Sequence, residues 1–137
     1  MANSVVTQIL ADGCRHFTLK VTGILDTSDV AATAIVTPAS MASMVSSAGV
    51  LPQQVRIDRI TWSIQEGLAV RLEWDAATPV QILDLTKTGA QDYRDMGGLQ
   101  NNAVSPTGNI LMATQGFVAA SIYNFSFLME CIKQRGI

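Results

Sequence analysis

The residues that could do chemistry in this chain are few, and their spacing suits none of the common sites. His16 is the single histidine. Alternation over Arg15–Thr22 puts Phe17, Leu19 and Val21 on one side of a strand and His16, Thr18, Lys20 and Thr22 on the other, so His16 reads as a surface residue. A cupin-type metal centre needs several histidines with a carboxylate, which this chain cannot supply. His16 has no nearby acid but Asp12, in an Asp12-Gly13 turn, so no Ser-His-Asp set can be assembled. Cys14 and Cys131 lack the paired motif of zinc thiolates, and both read as reduced, small core-type residues. Asp26-Thr27-Ser28-Asp29 clusters carboxylates in a loop, but without the turn glycine and bidentate glutamate of a calcium loop; Asx and Ser/Thr turns explain it. Gly97-Gly98 has neither the spacing nor the lysine of a phosphate loop. Glu73 and Asp75 share a strand face with Arg71, a solvated charged face rather than a glycosidase pair. Trp62 and Trp74 would make a carbohydrate platform if exposed, but both alternate with apolar residues and read as core. Asn124-Phe125-Ser126 fits a glycosylation acceptor, discounted because no secretion signal accompanies it. The chain is therefore expected not to be an enzyme, with no catalytic residue, no metal and no cofactor.

The elements that would position any function are strands. Gln54–Asp75 is the most legible stretch: Ile60, Trp62 and Ile64 alternate before Gln65, and Leu68, Val70, Leu72 and Trp74 after Gly67. A three-residue hairpin loop, Gln65-Glu66-Gly67, would oppose Ile64 to Leu68, Trp62 to Val70 and Ile60 to Leu72, with Gly67 in the left-handed position. It would also pair Arg59 with Glu73 and Thr61 with Arg71, leaving Arg56, Asp58, Arg59, Arg71, Glu73 and Asp75 as one charged outer surface. Val55 and Ile57 alternate in the other phase, so a bulge near Asp58-Arg59, or a passage between sheets, is expected. Gly23 reads as a bulge after the Arg15–Thr22 strand. Val30–Thr37, Val80–Leu85, Asn109–Gln115 and Ala120–Lys133 read as further strands. In the last, Tyr123, Phe125, Phe127, Met129 and Cys131 form the core side. Pro38–Ser46 has helical spacing and a proline suited to a first turn. Ser4–Leu10 is a short strand or extended arm with neither face clearly polar. Thr86–Thr107 reads as a long connection, of a length usually functional or docked on something. About eight strands, with at most one short helix near Pro38–Ser46, predict an all-β fold: a two-sheet antiparallel sandwich of jelly-roll type.

Length and charge bound the rest. The 137 residues make one domain, 1–137, with an N-terminal arm over 1–10 and a long loop over 86–107. Charged residues are 15% of the chain, lean beside a typical ~25%. Net charge is −2, which points to no nucleic acid and no anionic membrane as partner. The uncharged span Val30–Val55 is broken by Pro38, Gly49 and Pro52 and is no membrane helix, and MANSVVTQIL lacks the features of a signal peptide. Met96–Met129 contains no Asp, Glu, Lys or Arg but many amides and hydroxyls, a composition that suits interface cores or buried strands with an uncharged loop.

Val21-Thr-Gly-Ile-Leu-Asp-Thr-Ser-Asp29, the whole of Arg56–Asp75, Gly97-Gly-Leu-Gln-Asn-Asn102 and Gly108 opening a late strand together resemble the capsid cement (decoration) proteins of tailed bacteriophages, short-tailed phages in particular. The resemblance implies a non-enzymatic jelly roll on the outer surface of the virion. It would bridge and stabilise neighbouring copies of the major capsid protein, itself as a homodimer. It brings no active-site residue. The expected contacts fall on segments that are two-sided or charge-poor: Val5, Val6, Ile9 and Leu10 in the arm; Tyr93, Arg94, Leu99, Gln100, Asn101 and Asn102 in the long loop; Arg135 and Ile137 at the C-terminal end. The alternative is a carbohydrate- or receptor-binding sandwich module of a phage tail or head fibre, which needs exposed aromatics and a concave polar face.

Overall fold

Alternating apolar and polar residues carry most of the chain into strands whose apolar sides meet across a shared core. The computed structural model describes residues 3–42 and 52–134. In chain order the strands are β1 (Ser4–Asp12), β2 (His16–Leu25), β3 (Thr33–Val36), β4 (Gln54–Ile64), β5 (Ala69–Ala76), β6 (Val80–Thr86), β7 (Thr88–Asp92), β8 (Pro106–Gln115) and β9 (Tyr123–Gln134). They form a five-stranded sheet, β1-β2-β9-β4-β7, and a four-stranded sheet, β3-β8-β5-β6, with every pairing antiparallel. From β2 to β9 the chain changes sheet at every connection except β5–β6, which gives the interleaved strand order of a jelly roll. Leu19, Val21, Leu25, Ile57, Ile60, Phe127 and Met129 from one sheet meet Val36, Val70, Leu72, Trp74, Leu85, Ile110 and Met112 from the other.

The phase change in β4 is a bulge, the first of the two readings that the alternation leaves open. Pairing with β9 shifts register between Ile57 and Arg59, so Val55 and Ile57 face the core on one side of the shift and Ile60 and Ile64 on the other. The extra residue is Asp58, which is buried rather than part of an outer charged surface.

The Gln54–Asp75 hairpin is corrected. β4 and β5 lie in different sheets, and Gln65-Glu66-Gly67 crosses between them. Gly67 does adopt the left-handed conformation, at φ 93°. Ile64 pairs with Phe125, and Trp62 sits between Phe127 and Gly89. Arg59 lies 3.7 Å from Glu130 and Arg71 lies 3.2 Å from Asp84, so neither forms the expected partnership with the other strand. The six charged residues of the expected single surface therefore divide between two sheets. Two strands with one apolar face each are satisfied equally by pairing edge to edge or by facing one another across a core. Local pattern alone does not separate these arrangements.

Other expectations change in smaller ways. Gly23 is no bulge: β2 pairs continuously through it with β1 and β9, and its missing side chain makes room for the Phe125 ring. The Val30–Thr37 strand shortens to Thr33–Val36. The helix is a single 3-10 turn, Pro38–Ser40, and Ser43–Ser46 of the expected helix lie outside the described residues. The Thr86–Thr107 connection contains β7, a 3-10 turn at Arg94–Met96 and the start of β8. Cys131 is buried core, but Cys14 is exposed in the β1–β2 turn. Burial pushes the Cys131 thiol up to about 12. A soluble thiol reagent at mildly alkaline pH is expected to modify Cys14 alone in the folded protein and both cysteines after unfolding, as counted by mass spectrometry.

Lys133 ties three segments together. Its side chain is fully buried, and Nζ donates to Asp12 Oδ1, to the Gly13 carbonyl at 2.6 Å and to the Ala42 carbonyl at 2.9 Å. Asp12→Ala would leave a buried cation with carbonyls only and should cost about 3 kcal/mol; the partial exposure of Asp12 places this at the lower end of the range for breaking a buried pair. Lys133→Met removes the charge with its burial and should cost less. Urea unfolding of the two variants tests that order.

Candidate interaction surface

β1 is an edge strand with nothing over either face. Its pairing with β2 sets Val5 beside Gly23, Thr7 beside Val21 and Ile9 beside Leu19, before a register shift at Leu10. Leu19 and Val21 point into the core, so Val5, Thr7 and Ile9 lie on the core side of the sheet. The opposing sheet does not extend far enough to cover them. Every residue from Ser4 to Ala11 is exposed, with Val6 at 56%, Ile9 at 57% and Leu10 at 47%. The expected arm contacts Val5, Val6, Ile9 and Leu10 thus sit together on one strand. A chain folding alone normally guards such an edge with charge, proline or shortness. β1 runs nine residues with no charge before Asp12 and no proline.

The second group of expected contacts is held apart from the first. Tyr93 N–H donates to the Asp58 carbonyl at 2.7 Å, and Ile57 and Leu99 exchange backbone bonds of 3.1 and 2.8 Å. Gly98 packs so closely on the Arg56 and Asp58 side chains that a β-carbon would not fit. Arg56 Nε donates to Asp58 Oδ1 at 3.0 Å. The Tyr93–Leu99 segment is therefore a lid over the Asp58 bulge. Tyr93 and Leu99 are half-buried against the core, contrary to the expectation that they lack a core role. Arg94, Gln100 and Asn102 remain exposed. Gln100 accepts from Gln134 Nε2 at 2.9 Å and donates to the Gly97 carbonyl at 2.9 Å. Asn101 caps the Ala103 N–H at 3.0 Å. Arg135 and Ile137 lie outside the described residues. β1 and β7, which leads into this segment, are opposite edges of one sheet, four strand spacings or about 19 Å apart. The structure supplies two separate edges rather than one patch.

Several exposed apolar residues are not among the expected contacts. Ile24 pairs with Ser4 and Asn124, and the carbonyl of the exposed Ile122 accepts from Gln65 Nε2, which places both at the end of the sheet nearest the start of β1. Their outward parity, opposite to Leu25 and Tyr123, was a readable signal. Met96 is exposed on the lid and Val104 in the chain that follows it.

The residues considered for chemistry have structural tasks. Asp29 accepts from the Thr114 hydroxyl at 3.1 Å and the Phe117 N–H at 3.2 Å, anchoring the β8–β9 connection. Asn3 accepts from the N–H groups of Asp26 and Thr27 at 2.8 and 2.9 Å. Among the described residues no three His, Cys, Asp or Glu side chains cluster closely enough to hold a metal. Trp74 is buried in the core; Trp62 is half-buried, with its indole N–H donating to the Thr86 carbonyl at 2.9 Å.

No family model matches the sequence, and no curated protein matches it. Among solved structures, one described as "CBM4 structure and function" is similar over 94% of this chain and 94% of its own, at 10% identity and a TM-score of 0.31.

The end of β7, where the chain enters the lid, carries one strongly perturbed acid. Arg94 hydrogen bonds, from side chain and backbone, hold the Asp92 carboxyl at about 2, below the usual carboxylate range. Ionised Asp92 is favoured by the folded state, so its contribution is complete above the unfolded value near ~4 and is lost as pH falls towards 2. An NMR titration should place the Asp92 midpoint near 2, and Arg94→Ala should return it towards the ordinary value.

Proposed function

We propose that this chain is a non-enzymatic capsid cement protein of a tailed phage. It binds the outer surface of the shell and bridges neighbouring copies of the major capsid protein. The observation that carries this reading is β1, a long edge strand with no charge from Ser4 to Ala11 and bare on both faces there. The cement resemblance of the sequence adds the partner.

β1 suits pairing with a second copy of itself. Antiparallel pairing about Thr7 would set Val5 opposite Ile9 and Val6 opposite Gln8, with no charges brought together. Such strand addition would satisfy a row of backbone groups and cover the exposed valine, isoleucine and leucine side chains at once. The lid edge, with Arg94, Gln100 and Asn102, then faces the shell. A bridge needs at least two separated contact regions, and the two sheet edges provide them. In a lattice many modest contacts act together, so the assembled shell gains more than any single interface supplies.

The test is co-sedimentation of purified protein with empty shells lacking it, alongside analytical ultracentrifugation of the free protein. Wild type should be dimeric and bind at micromolar concentration. The double variant Val6→Lys/Ile9→Lys should be monomeric and bind the shells at least ~10-fold more weakly, since it puts a lysine on each face of the uncharged part of the edge, against Gln8 and Val5 of the second copy. A monomeric wild type that ignores the shells would sink the proposal.

A further inference from the structure

The outer face of the five-stranded sheet, between its two edges, has a construction of its own. Register places Val6 beside Thr22, Thr22 beside Ser126, Ser126 beside Ser63 and Ser63 beside Thr88. Four hydroxyl residues from β2, β9, β4 and β7 thus stand in one row that crosses the strands at right angles. Two contiguous depressions follow this row and share Ser63 and Ser126. One is a groove of about 610 Å³ at the Ile24 end of the sheet, to which Ser4 and Asn124 also contribute. The other, of about 370 Å³, continues past Thr61 to Thr88. The side chains of Ser4, Thr22, Ser63, Thr88, Asn124 and Ser126 make no hydrogen bond within the described chain. No charged residue lines the first groove, and Lys20 is the one charged residue of the second.

From this arrangement we infer a binding site for a neutral oligosaccharide chain. An anionic polymer would call for guanidinium or ammonium clusters, which the groove lacks. A neutral ligand rich in hydroxyls exchanges its water hydrogen bonds for those of unpaired serine, threonine and asparagine groups. Val6, Ile24 and Leu128 supply apolar surface between the polar groups for the C–H faces of sugar rings. Spacing distinguishes a glycan from a peptide. Hydroxyls in the row recur at the interstrand interval, about 4.8 Å, whereas an extended peptide advances about 3.3 Å per residue and falls out of step. A chain of six-membered rings repeats close to the interstrand interval. The combined groove is long enough for several rings, and its open form admits an internal segment of a longer polymer.

The site rests mainly on the outer sheet face and takes only Ser4 and Val6 from the β1 edge and Thr88 from the β7 edge, so substitutions at Thr22, Ser63 and Ser126 test it apart from the shell-binding proposal. The experiment is NMR titration of the full chain with cellohexaose, maltohexaose, laminarihexaose and chitohexaose, with heparin and an extended Thr-Val peptide as comparators. Saturable shifts on the backbone amides of Thr22, Ser63, Asn124 and Ser126 are expected with at least one neutral hexasaccharide. Thr22→Val/Ser63→Ala/Ser126→Ala should bind it at least about tenfold more weakly, with an unchanged melting temperature and unchanged co-sedimentation with shells. Should the triple variant unfold, Ser126→Arg alone blocks the middle of the row and must abolish the shifts. The inference is overturned if no neutral hexasaccharide saturates at millimolar concentration, if heparin or the peptide binds more tightly, or if the variant loses shell binding, which would make this face the docking surface.

Discussion

A single extra residue in β4 organises much of this molecule. Side chains alternate strictly along a strand, so an unbulged β4 could bury Val55 and Ile57, or Ile60 and Ile64, but not both sets. The register shift at Asp58 lets both ends of the strand face the core. The consequence is a carboxylate and a disrupted ladder on the outer side, at the centre of a sheet. Asp58 is paired with Arg56, its carbonyl accepts from Tyr93, and the neighbouring Ile57 bridges to Leu99. The connection after β7 is therefore long because the bulge needs a lid. Once docked, the lid fixes where Arg94, Gln100 and Asn102 emerge. A surface assigned to partner contact thus rests on a core requirement three strands from the β1 edge.

Most strands and their buried faces were legible, because each depends on residues close together in sequence; β7, inside the expected Thr86–Thr107 connection, was not, and the bulge in β4 was one of two readings the alternation allowed. Phe17, Leu19 and Val21 point inward as their alternation predicts, as do Phe125, Phe127 and Met129. The strand partners were not legible. β4 lies between β9, some 70 residues later, and β7, while the chain's next strand, β5, faces it from the other sheet. Apolar alternation records that a strand has a buried face and is silent on what lies opposite. Gly23 was misread for a related reason: its lack of a side chain serves the Phe125 ring on a distant strand rather than any local irregularity.

Edges show the same division. The exposed residues of the arm could be named from sequence because neither of its faces was polar. That the arm is a paired strand overhanging the opposing sheet required the topology. The other edges are guarded in ordinary ways: β3 has only four residues, β7 has five and ends in the Asp92–Arg94 pair, and β6 carries Asp84 in an ion pair with Arg71. β1 alone among the described edge strands is long, unshielded and free of charge up to its last residue, Asp12. The uncharged stretch Met96–Met129, which looked equally suited to an interface, is largely used by β8 and β9 within the fold.

The polar face between the edges follows from a different economy of charge. Solvated faces of small domains usually carry lysine and glutamate, which keep the protein soluble and repel like surfaces. Here the middle of the five-stranded sheet carries hydroxyls instead, and its ion pair, Arg59 with Glu130, lies towards the lid. Hydroxyls satisfied by water cost little in folding, so nothing in stability demands them in a row. Their alignment is a property of three non-local registers acting together, β2 with β9, β9 with β4 and β4 with β7, which is why Thr22, Ser126 and Ser63 carry no mutual signal in the sequence. If both edges are occupied by protein in an assembled shell, this face is what the particle still presents to its surroundings. A surface with little net charge recognises by hydrogen-bond geometry and shape, and it does so with little sensitivity to salt.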